Sequence, residues 1–131
     1  MLFAMHSGLR YLVLLFGVAA LGYAVLGAAT GRPYDRLMTR LASSFAGLVH
    51  LQILVGFGLL FTRTFYPALI GHLFMMFFAA AAAQIPASVM RRRVMTERTW
   101  IPHVVGTLLA LVLIAGGVMA IGRPLLGSSV G

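Results

Sequence analysis

Residues 9–29, LRYLVLLFGVAALGYAVLGAA, carry one charge, at Arg10, among side chains that are otherwise apolar, small or aromatic. A helix rises ~1.5 Å per residue, so a run of this length covers a hydrocarbon core about 30 Å thick. Three more such runs follow, at residues 41–61, 66–88 and 100–121. The expected fold is all-α: an integral membrane bundle of four transmembrane helices, up-down-up-down with short loops, forming a single transmembrane domain over residues 1–131.

Composition argues the same way. Hydrophobic residues make up 61% of the chain and charged residues 9%, with a mean hydropathy of +1.01, which leaves no room for a soluble domain. The net charge of +8 would indicate nucleic acid in a soluble protein. Here the arginines bracket apolar spans instead, so no nucleic-acid partner is expected. All ten basic residues are Arg. Arg32, Arg36, Arg40, Arg91, Arg92, Arg93 and Arg98 fall in the first and third linkers, while Arg10, Arg63 and Arg123 belong to the other side. By the positive-inside rule this places both basic linkers in the cytoplasm and both termini outside. The first apolar run is too long for a signal-peptide core and has only Arg10 as an early charge, so an uncleaved first helix is expected.

Local chemistry marks where the spans stop. Gly31, Arg32 and Pro33 combine a left-handed cap, a snorkelling cation and a residue that cannot continue the ladder. Gly122, Arg123 and Pro124 repeat that terminator. Tyr34, Tyr66 and Trp100 sit at span boundaries, as interfacial rings do, and Pro67 and Pro102 suit first turns.

In lipid, helices associate by close packing, so stripes of small residues mark contacts. Ala20, Ala24 and Ala28 form one; Ser43, Gly47, His50, Leu54 and Gly58 another; His72, Met76, Ala79 and Ala83 a third; His103, Gly106, Ala110, Leu113 and Gly117 a fourth. Two readings stay open. Either the imidazoles bond to neighbouring helices in a tight bundle, or the small residues clear space for a flat cofactor.

Ionisable groups within a membrane count as functional hypotheses by default, and the chain has four histidines: His6, His50, His72 and His103. A bis-histidine haem needs two imidazoles at similar depth. Counted from the outer boundary, His72 lies about 9 Å deep and His50 about 16 Å deep, with His6 at the surface and His103 near the cytoplasmic face. His50 and His72 are therefore the candidate ligands of one b-type haem, and Met75 or Met76 is an alternative axial ligand.

Other chemistry is bounded quickly. The chain lacks cysteine, so redox work requires a bound cofactor. Asp35 and Glu97 are the only acids. Both lie in linkers and read as local ion pairs, Asp35 with its flanking arginines and Glu97 with Arg98. Acid-base catalysis, pumping and coupled transport lack the intramembrane carboxylates they use, and Ser43 and Ser44 have no nucleophile context. No catalytic residue and no enzymatic activity are expected. Gln52 and Gln84 read as interhelical hydrogen-bonding groups. Arg91, Arg92 and Arg93 set topology and attract anionic phospholipid, which is expected to bind, or dock onto an acidic face of a larger membrane complex.

The segments H-S-G-L-R-Y-L (His6 to Leu12), H-L-Q with a following glycine (His50 to Gly56) and H-L-F-M-M (His72 to Met76) resemble a family of small four-helix bacterial membrane proteins sometimes labelled cytochrome b-like. The likeness spans most of the first three helices and implies a bioenergetic membrane. The family pattern places an acidic residue before the third-helix histidine; here that position is Gly71, which removes a group that would orient the imidazole. Two functions follow as expectations: an accessory subunit of a respiratory or photosynthetic electron-transfer complex, or a haem-bearing electron carrier or quinone-linked subunit using His50 and His72.

Overall fold

The computed structural model describes residues 2–61 and 67–120. Its regular structure is four helices, α1 (Leu2–Thr30), α2 (Arg36–Leu60), α3 (Ala68–Arg92) and α4 (Ile101–Ala120), with a short 3-10 turn at Met95–Glu97 before α4. Each helix is long and apolar enough to cross a membrane, and the chain is a multi-pass membrane protein. The first helix packs on α2 and α4, and α3 does likewise, so the four stand at the corners of a square in chain order. The all-α transmembrane bundle expected from the apolar runs is the fold observed. One end, the basic end, carries residues 31–35 and 93–100; the opposite end carries the start of α1 and α3 and the end of α2 and α4.

Helix limits differ from the apolar runs for local reasons. The first helix begins at Leu2 rather than residue 9, which brings His6 and Arg10 into the span. It stops after Thr30 at Gly31, whose φ of 66° is the left-handed cap expected there. The second helix starts at Arg36 because the Asp35 carboxylate accepts the Met38 N–H at 3.1 Å, satisfying one first-turn donor. The third continues through Pro86 to Arg92. Arg63, Tyr66, the Gly122-Arg123-Pro124 stop and the tail Ser128–Gly131 lie outside the described residues.

Two clusters fill the interior. One holds Val13, Phe45, Val49, Met76, Ala79, Ala83, Ala110 and Ile114. The other, at the basic end, holds Ala20, Ala24, Tyr34, Met38, Ala87, Met90 and Trp100. The small stripes of α1, α3 and α4 face inward: Ala20, Ala24, Ala79 and Ala110 have no exposed surface. The stripe on α2 does not. Gly47, His50 and Leu54 are exposed, and α2 buries Met38, Ala42, Phe45, Ala46, Val49 and Val55 instead. Packing density explains the reversal, because four small faces meeting at the axis would leave voids that Phe45 and Met38 fill.

The α3 backbone comes close to α4 at Gly106. A Cβ there would lie 2.6 Å from the Ala82 carbonyl oxygen and would strike the Pro86 ring. Pro86 has no N–H to donate four residues back, so the Ala82 carbonyl is the one its ring releases.

Tyr34 and Trp100 correct an expectation. Both flank helix ends, but their rings turn inward rather than out: both are buried, with ring centroids 5.3 Å apart. Trp100 donates its indole N–H to the Arg32 carbonyl at 2.7 Å. The first linker is thereby tied to the start of α4, and the rings serve as core.

Candidate functional site: the histidine stations

The four histidines occupy three levels. At the basic end, Arg98 Nη1 donates to Thr39 Oγ1 at 3.0 Å, Thr39 Oγ1 donates to the Tyr34 hydroxyl at 3.3 Å, and that hydroxyl lies 2.7 Å from His103 Nε2. The chain of hydrogen bonds thus runs inward from a guanidinium to an imidazole that is 1% exposed. Four segments of the chain meet in it. Arg98 also donates to the carbonyls of Arg93 and Arg91. These bonds replace the Glu97–Arg98 ion pair expected from sequence. The Arg32–Asp35 pair does form, at 3.5 Å, and Asp35 also accepts from the Tyr23 hydroxyl.

Midway along the bundle, His50 Nε2 lies 3.0 Å from Gln84 Oε1, and Gln84 Nε2 donates to Ser88 Oγ at 2.7 Å. An amide oxygen only accepts, so His50 Nε2 carries the proton. His50 is ten residues, ~15 Å, before the end of α2, which is the depth of the bilayer centre. The imidazole is nevertheless exposed on the outer surface of the bundle.

At the opposite end all four helices contribute polar groups. His72 Nδ1 donates to the Gly117 carbonyl at 2.8 Å, and Gln52 Nε2 donates to the His6 carbonyl at 2.7 Å. The His6 side chain is within electrostatic reach of both His72 and Arg10. Arg10 is 6% exposed; its Nη2 donates to the Tyr11 hydroxyl at 3.0 Å. His6 Nδ1 and Gln52 Oε1 are buried without a hydrogen-bond partner among the described residues. Space beside them comes from glycine, since a Cβ at Gly56 would stand 3.3 Å from the His6 ring. Sequence reading assigned His6 and Arg10 to the surface and missed this cluster. Their i, i+4 spacing puts both on one face once α1 is known to begin at Leu2.

The proposed His50–His72 haem pair does not fit. His50 is level with Gln84, and Gln84 lies twelve residues from His72 on α3, ~18 Å along the axis. The offset of about one turn expected from span boundaries is too small, because the antiparallel α2–α3 register sets depth. The rings also face different surroundings, His72 buried and His50 exposed. Met75 and Met76 do not replace it. Both are one turn from His72 on the same helix and contact α4 beside Gly116 and Gly117, so neither can approach an iron from the face opposite His72. The orientation that Gly71 does not supply to His72 comes from the Gly117 carbonyl.

Arg91 and Arg92 end α3 and Arg93 caps it. All three are exposed at the basic end, where cations also favour the carboxyl terminus of the helix dipole.

No family model, no curated protein and no solved structure matches the chain.

Proposed function

We propose that the protein is an accessory, structural subunit of a larger electron-transfer assembly, respiratory or photosynthetic, in the bacterial cytoplasmic membrane. It packs against other transmembrane subunits and against lipid, and has no catalytic role of its own. The observation that carries this reading is the outward face of α2. There the His50–Gln84 pair is open at mid-bilayer depth, one turn from the exposed Gly47 and near the exposed Ser44. An imidazole and a carboxamide presented to hydrocarbon have few partners for their remaining polar atoms. A neighbouring transmembrane helix supplies them, and Gly47 lets its backbone come close.

Three further features support the reading. Histidines at three levels bond across helices, which is how a scaffold uses them: His50 to Gln84, His72 to Gly117 and His103 to Tyr34. Arg91, Arg92 and Arg93 suit anionic phospholipid or an acidic partner face. The electron-transfer setting rests on the resemblance of the His6–Leu12, His50–Gly56 and His72–Met76 segments to the cytochrome b-like family. The arginine distribution favours basic linkers in the cytoplasm and periplasmic termini.

The test uses Gly47→Leu. A side chain at Gly47 meets nothing within 4 Å in the bundle, so the variant folds while its bulk blocks an approaching helix. Purified in mild detergent, the wild type is expected to co-elute with a fixed set of larger membrane subunits at constant ratio, and Gly47→Leu to lose roughly tenfold of that recovery, ~1.4 kcal/mol of association. Unchanged recovery in both Gly47→Leu and His50→Leu would defeat the proposal. So would a reduced-minus-oxidised haem band in the isolated chain that vanishes in His72→Ala.

A further inference from the structure

A cavity of about 530 Å³ opens at the basic end, between the end of α1, the first linker and the approach to α4. Its lining changes character along its length. Arg32, Arg98 and Thr96 form a polar part, while Ala28, Trp100 and Ile101 form an apolar part that continues onto the lipid-facing sides of α1 and α4. Arg98 is held in place by the Arg93 and Arg91 carbonyls and by Thr39, all neutral acceptors. No carboxylate forms an ion pair with it among the described residues. Arg32 is partly balanced by Asp35, which also caps α2.

From this juxtaposition we infer that the cavity is a binding site for one anionic phospholipid, its phosphate between Arg32 and Arg98 and its acyl chain along Ala28 and Ile101. Guanidinium groups suit phosphate oxygens through charge-assisted hydrogen bonds. Free phosphate would use the polar half alone; the apolar half matches an amphiphile. The site is separate from Arg91, Arg92 and Arg93, which border no part of this cavity. The inference is independent of the accessory-subunit reading.

Trp100 is the only tryptophan of the chain and lines the cavity, so its fluorescence reports occupancy directly. The full chain is placed in bilayers of unlabelled phosphatidylcholine, and brominated phosphatidylglycerol or brominated phosphatidylcholine is titrated in. Brominated phosphatidylglycerol is expected to reach half-maximal quenching at a several-fold lower mole fraction. Arg32→Gln should lose about fivefold of this preference, the worth of roughly one arginine near an anionic surface, and Arg32→Gln/Arg98→Gln should abolish it. An Arg40→Gln variant, whose side chain is exposed and borders no part of the cavity, should retain it. Should the double variant fail to fold by circular dichroism, Arg32→Gln alone decides, because its side chain is 44% exposed. Equal quenching by the two lipids in the wild type overturns the inference, as does a preference that survives Arg32→Gln unchanged or disappears in Arg40→Gln. Competition by millimolar inorganic phosphate would assign the site to the free anion and overturn the lipid assignment.

Discussion

Tyr34 ties the first linker to α2 and α4 through a single hydroxyl, accepting from Thr39 and facing His103 Nε2. Burial of its ring pushes the phenol above its ordinary range, near ~10 in an unfolded chain. A raised folded pKa means that the native state holds the proton more tightly than the unfolded state. Its contribution to stability is therefore complete below the unfolded value and is lost as pH rises through the folded one. Thermal unfolding in detergent should show a midpoint insensitive to this group below about pH 9 and falling above about pH 10. Tyr34→Phe should flatten that alkaline fall while lowering the neutral-pH midpoint, since His103 Nε2 then loses its partner. An alkaline slope identical in wild type and Tyr34→Phe would contradict this assignment. Glycines divide just as sharply. Gly106→Ala should destabilise by about 1–3 kcal/mol, because the new methyl meets a carbonyl oxygen that cannot rotate away. Gly22→Ala meets nothing within 4 Å and should be neutral or stabilise by up to ~1 kcal/mol.

Helices were easier to read than their ends or their faces. Four runs of about twenty apolar residues have no fold in lipid other than helices, since backbone groups there must be satisfied within the segment, and all four formed. Caps depend on single side chains. Asp35 reads from sequence as an ion-pair partner, yet its carboxylate also accepts the Met38 N–H and the Tyr23 hydroxyl. Asp35→Ala should therefore cost about 0.5–2 kcal/mol as a lost cap, with Asp35→Asn recovering much of it because the amide oxygen still accepts. Equal loss in both variants would assign the effect to the Arg32 pair instead. The candidate site was legible only in part. Gln52 and Gln84 bond between helices as their residue type implies. The offset between His50 and His72 exceeds the one read from sequence because counting from apolar boundaries takes no account of the register between α2 and α3. The outward direction of the His50 stripe was hidden for a related reason: small residues mark close approach, but not whether the neighbour is in the same chain.

The whole molecule carries an asymmetry that no single helix shows. Among the described residues, Arg32, Arg36, Arg40, Arg91, Arg92, Arg93 and Arg98 gather at one end, while Arg10, near the other, is buried and bonded to the Tyr11 hydroxyl. An arginine withdrawn into the bundle competes weakly for retention on the cytoplasmic side, which strengthens the bias set by the other seven. Periplasm-active reporter fusions should be active after residue 131 and inactive within residues 93–99. Replacing Arg91, Arg92 and Arg93 together by Asn leaves four arginines at the basic end and should produce a mixed orientation. Replacing Arg10 by Leu should leave the orientation unchanged while lowering thermal stability, because the bond from Arg10 to the Tyr11 hydroxyl is lost. An inverted topology in Arg10→Leu, or full retention in the triple variant, would show that orientation is fixed by a partner subunit during assembly rather than by the charges of this chain.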